Sequence, residues 1–431
     1  MGTQRKIYIL GGGTVAHIRP HLALAAPAYG RTALLIRGYV LRHPDFKMDV
    51  EMVLTKMAGG DLETNDDVAK KVEEIVADPL TKIVFMNAAL VDFKPQYLFD
   101  VSSNSYDACE SVGDKYGVRL QSNRYYRIGL EPATGPRDTD GSANRKVINS
   151  IRKDRKDIFL VGFKTTCNAT KQEQFEAGLR LCKTASCNLV LANDVGTRHN
   201  MIITPEEAAY HQTTDREEAL KNLVDMAFKR SHLSFTRSTV IAGDSVPWDS
   251  PEVPQSLRTV VNHCIDGHAY KAFGGATVGH FAVKLSPTEF LTSKRKTNFN
   301  DLAKIGLVRV KTDGPDEVYA YGAKPSVGGQ SQRIVFSEHP GFDAIVHFHS
   351  PMKSDAPDDI PIKSQRNVEC GSHECGKSTS DGLKQFGNLK AVMLDQHGPN
   401  IVFPSSIDPT EVIAFIDRNF DLSKKTGGYS L

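Results

Sequence analysis

Strand-like runs alternate with helix-like runs through the first 230 or so residues, and this alternation limits the possible folds more than any other feature. Residues 6–10 are β-rich and end in Gly11-Gly12-Gly13-Thr14. Ala33-Leu34-Leu35-Ile36 reads as a second strand, and residues 83–86, 158–161 and 189–192 as later ones. Between them, Val68, Val72, Ile75 and Val76 recur at the spacing of one helical face, with Asn65 as the expected cap. Residues 146–153 predict a helix, and Phe175, Leu179 and Cys182 mark another. Thr214-Asp215-Arg216-Glu217 reads as a capping box ahead of Leu220, Leu223, Val224 and Phe228. The order predicts a doubly wound, Rossmann-like α/β domain, a parallel sheet with helices on both faces. Ligands of such sheets sit outside the carboxyl ends of the strands.

The pattern changes between residues 231 and 255, which hold Pro247, Pro251, Pro254 and the only tryptophan, Trp248. This stretch predicts a linker over 233–254 between a domain at 1–232 and another at 255–431. A length of 431 residues suits two or three domains. A helix is expected from Gln255, with Leu257, Val260, Val261, Cys264 and Ile265 on one face and Gly274-Gly275 ending it. Strands and turns then run to about residue 350, so the second domain reads as α+β.

Lys and Arg total 53 against 51 Asp and Glu, a net charge of +2, which gives no reason to expect nucleic acid or an anionic membrane as partner. The apolar run at residues 7–10 is too short for a signal peptide. Lys6 occupies the Ser/Thr position of a myristoylation motif. No stretch approaches the roughly 20 apolar residues of a membrane helix. Seven cysteines, an odd count, suit reduced thiols in a cytoplasmic compartment. A small-molecule substrate is the expected partner.

The glycine run after the first strand could bring backbone N–H groups close to phosphate oxygens, although an ordinary tight turn reads equally well. Three further segments follow strands: residues 87–95 (with Ala89, Asp92 and Phe93), residues 161–165 (with Gly162 and Phe163) and residues 191–195 (with Asn193 and Asp194). In this order, over roughly residues 5–230, they resemble the phosphopantothenoylcysteine synthetase family, also called phosphopantothenate–cysteine ligase. The resemblance implies a nucleotide crevice for CTP or ATP with Mg²⁺. Gly12, Gly13 and Thr14 would hold phosphate, and Ala89, Asp92 and Phe93 would shape the crevice. Gly162, Phe163, Asn193 and Asp194 would border the nucleotide. The chain departs from the family in three places. No SNxSSGxxG segment follows the glycine run, Thr165-Thr166 stands where the family has a glutamate, and the loop lysine has only Lys115 or Arg119 as counterparts.

His347 and His349 flank Phe348 behind the β-branched Ile345-Val346. Residues i and i+2 of a strand share a face, so the two imidazoles can converge on one ion. His397-Gly398 closes another apolar run and offers a third imidazole. Three neutral imidazoles suit Zn²⁺ and leave a coordination position open. Cys370-Gly371-Ser372-His373-Glu374-Cys375 lacks regular metal spacing and reads as a turn with buried thiols.

From about residue 255 to 425 the chain resembles the class II aldolase/adducin family. The match rests on residues 279–284, 290–293, 300–302 and 324–326, the paired histidines and the final His-Gly. It implies metal-dependent aldol cleavage or epimerisation of a small hydroxy-carbonyl compound or sugar phosphate, in a homo-oligomer. His347, His349 and His397 would be ligands. Gly279, Ser293 and Ser326 would sit near the substrate, with Lys294, Arg295 and Lys296 adding positive charge. His280 replaces the family's asparagine, and no glutamate stands near Val327 or Gly328. Glu338 and Asp343 are the nearest carboxylates to act as base. Tyr319 and Tyr321 take no assigned role. A coenzyme A ligase and a catalytically inactive assembly protein are the alternative readings.

Overall fold

The computed structural model describes residues 4–19, 22–97, 120–121, 125–126, 128–132, 146–313 and 317–426. Lys115 and Arg119, the expected loop-lysine counterparts, lie outside the described residues. The chain forms two compact units. One holds Met1–Ile202 and His211–Ala227, the other Ile203–Tyr210 and Phe228–Leu431.

The first unit is built on a seven-stranded, mostly parallel sheet. From one edge its order is Ala209–Thr213, Asn200–Ile203, Leu189–Asp194, Phe159–Thr166, Thr81–Met86, Lys6–Gly11 and Asp49–Leu54. The pairings from Leu189–Asp194 to Asp49–Leu54 are all parallel. Ile7, Ile9, Ile83, Phe85, Leu160 and Val190 are buried in it, each side chain adding about 1.5–3 kcal/mol of hydrophobic stabilisation. Ala33-Leu34-Leu35-Ile36 is not a strand. It belongs to the helix Arg31–Leu41, which buries Ala33, Ile36 and Val40 at helical spacing. The strand in that place is Asp49–Leu54, whose acidic residues disguise it. The helix Asn65–Ala77 is capped by Thr64, one residue before the expected Asn65, in a reciprocal box with Asp67. Asp215 accepts from the amides of Glu217 and Glu218 at the start of Arg216–Ser231.

A ten-stranded mixed sheet organises the second unit. Its order is Arg237–Ile241, Glu317–Tyr321, Val308–Thr312, Glu289–Thr292, His280–Lys284, Ala344–His347, Gly398–Phe403, Leu389–Leu394 and Ile362–Lys363, with Lys384–Phe386 also on Leu389–Leu394. Period-two alternation divides its faces. Phe281, Val283, Val346, Ile401 and Phe403 pack with Leu257 and Val260 of Gln255–Asp266 and with Phe415 and Ile416 of Pro409–Asn419. Ala282, Ile345 and Val402 face the other way, against Val335 and Phe336 of Val327–Glu338. Part of the expected linker is sheet, because Arg237–Ile241 pairs in parallel with Glu317–Tyr321. Trp248 also belongs to the core, 5.5 Å from the Phe281 ring. The helix from Gln255 stops at Asp266, and Gly267 ends it in place of Gly274-Gly275. Among the described residues, no helix is long and apolar enough to cross a membrane.

Candidate metal centre

His347 closes the strand Ala344–His347, in register with His280 on one side and Asn400 on the other. By alternation it shares the face of Ile345. The strand ends there. Phe348 turns into the core 5.7 Å from Phe420, and His349 follows outside the strand. His397 comes from the turn between Leu389–Leu394 and Gly398–Phe403. Gln396 and Gly398 on either side of it have φ of 54° and 142°.

The three rings converge. Centroids lie 5.1 Å apart for His347 and His349, 4.6 Å for His347 and His397, and 4.6 Å for His349 and His397. One nitrogen from each lies within 4.8 Å of the others. Zn–N bonds of about 2.0–2.1 Å in a tetrahedral site put such nitrogens about 3.3 Å apart, a difference that side-chain rotation covers. All three histidines are buried. His347 Nδ1–H donates to the Pro399 carbonyl at 2.8 Å, which leaves Nε2 as the lone-pair nitrogen. That Nε2 is buried and has no hydrogen-bond partner. An orphaned buried acceptor costs about 1–3 kcal/mol, and a cation is a partner it would suit. Burial, reinforced by neighbouring His397, pushes the His347 imidazolium well below its ordinary range. The ring is therefore neutral and competent as a ligand. The donor set fits a divalent ion of the zinc type.

A fourth histidine backs this group. The His280 ring lies 4.6 Å from that of His347. The Gln332 amide donates to its Nδ1, and Thr292 Oγ1 donates to Gln332 Oε1 at 3.5 Å. Burial pushes the His280 imidazolium well down as well.

The carboxylates expected to act as base are engaged elsewhere. Asp343 accepts from the Ser405 hydroxyl at 2.7 Å and from the Ser405 amide. Glu338 accepts from Ser380 and pairs with Lys377 at 3.1 Å. Those bonds, Ser380's foremost, hold the Glu338 carboxyl below its ordinary range. Lys294 is not an open cation either, since its ammonium donates to Ser245 Oγ at 2.5 Å and to the Ile305 carbonyl. Ser293 and Ser326 are brought together, with the Ser326 amide donating to the Ser293 carbonyl at 2.9 Å. The Ser293 hydroxyl is buried without a partner. Gly279 abuts the His347 carbonyl. Cys375 is buried, its thiol pushed up to about 12 by desolvation. Among the described residues, no cysteine is in a disulfide.

Two amides of the glycine run in the first unit are engaged within the protein. The Gly13 amide donates to the Ala28 carbonyl at 2.8 Å, and the Thr14 amide to Ala89 at 3.0 Å. The Gly12 carbonyl accepts from the Ala89 amide at 2.9 Å. The Thr14 hydroxyl donates to Asn65 Oδ1 at 2.6 Å and accepts from the Val91 amide at 3.0 Å. A Cβ on Gly13 would lie 1.8 Å from the Ala26 carbonyl oxygen. Close backbone packing therefore accounts for that glycine. Asp92 is exposed, 3.5 Å from Lys146. Phe93 opens the strand Phe93–Tyr97. Gly162 packs against the Cys187 sulfur, and Phe163 is half-buried. Asn193 accepts from Thr165 Oγ1 at 3.3 Å.

Asp194 gathers the amides of Asn168, Ala169, Gly196 and Thr197 and the hydroxyls of Thr166 and Thr197. These bonds, the Thr197 and Ala169 amides first, depress its carboxyl far below the ordinary range. A depressed carboxyl stabilises the fold above its unfolded value of about 3.9 and loses that contribution as pH falls through the folded value. Asp194→Asn is expected to lower the melting temperature at pH 7. It should also flatten the decline of melting temperature below about pH 4. Melting curves of both proteins at pH 7 and pH 3 check this.

Residues 264–408 match the family model for the Class II Aldolase and Adducin N-terminal domain. No curated protein matches the chain. Among solved structures, the DNA/pantothenate metabolism flavoprotein from Streptococcus pneumoniae is similar at 18% identity and a TM-score of 0.39, over 52% of this chain and 97% of that one. The C-terminal domain of the coenzyme A biosynthesis bifunctional protein CoaBC is similar at 14% identity and 0.34, over 52% and 94%. The sugar-phosphate aldolase from Thermotoga maritima is similar at 16% identity and 0.29, over 38% and 89%.

Proposed function

We propose that this chain, whose C-terminal unit carries a class II aldolase/adducin domain, is a metal-dependent lyase of small hydroxy-carbonyl compounds, sugar phosphates among them. The observation that carries the reading is the buried convergence of His347, His349 and His397. When bound there, a divalent ion such as Zn²⁺ supplies Lewis-acid polarisation of substrate oxygens. The chain's own residues do the rest. The Pro399 carbonyl keeps the proton on His347 Nδ1. His280, accepting from Gln332 at Nδ1, holds its proton on Nε2. The Ser293 hydroxyl is an unused donor beside Ser326, and Ser326 opens the helix Val327–Glu338, whose first amides favour an anionic substrate group.

The test is a panel of sugar phosphates incubated with zinc-reconstituted protein, with release of a phosphorylated three-carbon fragment as the readout. Cleavage that stops on chelation and returns with zinc is expected. A zinc-loaded protein that cleaves none of them would leave the assembly reading in its place. That second reading draws on one specific observation, the engagement of both Asp343 and Glu338 away from the histidines. Size-exclusion chromatography would then show a stable oligomer. Against the ligase reading stand the Gly13 and Thr14 amides, which are bonded within the protein. No pyrophosphate release is expected from CTP or ATP with Mg²⁺, 4′-phosphopantothenate and cysteine.

A further inference from the structure

A buried stretch that no motif announces is bonded to the turn that carries His397. Ile203–Tyr210 folds with the C-terminal unit. Within it, Glu206 and Glu207 are 3% and 1% exposed. Glu206 Oε1 accepts from Arg230 Nη2 at 2.6 Å and from the Cys370 amide at 2.7 Å. The Arg230 side chain is fully buried. Glu207 Oε2 lies 2.5 Å from Lys425 Nζ, again out of solvent. Glu207 also sits at φ 68°, a left-handed conformation unfavourable for a glutamate. Desolvation largely offsets the attraction within such pairs. Their value here is geometric, and their connections show what they hold.

Lys425 precedes Thr426. The Thr426 amide donates to the His349 carbonyl at 3.0 Å, and its hydroxyl donates to the His397 carbonyl at 2.6 Å. One residue thus bridges the backbones of two of the three histidines. On the other arm, the Ala209 amide donates to Gln396 Oε1 at 3.2 Å, and the Tyr210 hydroxyl donates to the Asp395 carbonyl at 3.4 Å. Both bonds land on the turn that carries His397, at the positive-φ residue and its neighbour.

We propose that residues 206–210 form a positioning clamp for the metal centre, in which the Glu206–Arg230 and Glu207–Lys425 pairs hold the turn of His397 against His349. The clamp rests on the metal reading above. Its members are positioning residues, and none need touch the ion.

The test measures Zn²⁺ affinity of the full chain by competition with a chromophoric chelator, the Co²⁺ absorption spectrum, and amide hydrogen exchange of residues 395–398 in the metal-free protein. Thr426→Val removes the hydroxyl bond at constant size, and Thr426→Ser restores it. Gln396→Met removes the acceptor for Ala209, and Glu207→Gln breaks one ion pair. Thr426→Val, Gln396→Met and Glu207→Gln are expected to weaken zinc about 10–100-fold, the usual penalty for losing support behind a ligand. They should also alter the Co²⁺ bands and speed exchange at the turn. Thr426→Ser should stay close to the parent. Folded variants with parental zinc affinity, Co²⁺ spectrum and exchange overturn the clamp. A parent chain that takes up no metal overturns the metal reading, and exchange alone then decides the clamp: faster exchange supports it, unchanged exchange refutes it. If Glu207→Gln fails to fold, Thr426→Val and Gln396→Met carry the test, since neither strips a buried charge.

Discussion

His347→Ala is expected to abolish stoichiometric zinc binding and, with it, the thermal stabilisation that zinc confers. A ligand that binds only the folded state stabilises it by about 4 kcal/mol when present at a thousand times its dissociation constant. For a unit of about 200 residues, each kcal/mol raises the melting temperature by roughly 2–4 °C. Zinc should therefore raise the melting temperature of the parent chain by about 10 °C over the chelator-treated protein. The variant should melt at one temperature with zinc and with chelator. His347 is the sharpest choice because its tautomer is set by Pro399 and its other nitrogen is buried without a partner. His349→Ala and His397→Ala should behave alike, since each removes one of the three converging nitrogens. A zinc shift that survives His347→Ala would mean that the ion binds elsewhere and that the lyase mechanism has no centre. Metal content of the purified variants, measured by mass spectrometry, is the companion check.

The histidine group is legible in the sequence because its signals are local. A histidine at i and i+2 after β-branched residues implies a shared face, and a glycine after His397 implies a turn. Even so, the strand ends at His347, and the chain returns His349 to the site only after Phe348 has entered the core. The supports of the site are not legible, because each is a pairing across the chain. Glu207 meets Lys425, and Glu206 meets Arg230 and Cys370, with nothing in the sequence around either glutamate to mark its partner.

The glycine run shows the opposite difficulty. Its composition is the same whether the glycines face a phosphate or another stretch of backbone. In the folded unit Gly13 faces Ala26 and Ala28, and the Gly12 carbonyl and the Thr14 amide on either side of it are bonded to Ala89. Residues 33–36 are ambiguous for a related reason. Four consecutive apolar residues fit a strand or a buried helix face equally well, and only the wider register of Ala33, Ile36 and Val40 separates the two. The departures from family pattern have structural counterparts. His280 fills its place with a ring against His347 and a fixed partner in Gln332. The carboxylates nearest to the place of the missing glutamate in the sequence, Asp343 and Glu338, are held by Ser405 and by Ser380 with Lys377.

Gly398→Ala is expected to damage the site as severely as removal of a ligand, by a different route. Gly398 has φ 142°, a region that residues with a side chain rarely enter. A Cβ there would lie 1.9 Å from the Phe348 carbonyl oxygen and 3.2 Å from His349 Cα. Backbone strain of this kind costs about 1–3 kcal/mol, and forcing extra volume into a packed place costs about 1–3 kcal/mol more. The two together predict a destabilisation of roughly 2–6 kcal/mol and a fall in melting temperature on the order of 10 °C. The geometry also sets the functional consequence. Moving Gly398 away from Phe348 and His349 to relieve the contact separates the turn bearing His397 from the chain bearing His349, so zinc affinity should fall along with stability. Gly341→Ala is the control, because a Cβ at Gly341 meets nothing within 4 Å. It should leave the melting temperature and zinc affinity at parental values. A Gly398→Ala protein that kept both would show that the turn can move away from Phe348 without loss, and that the close approach of Gly398 to Phe348 does not set the position of His397.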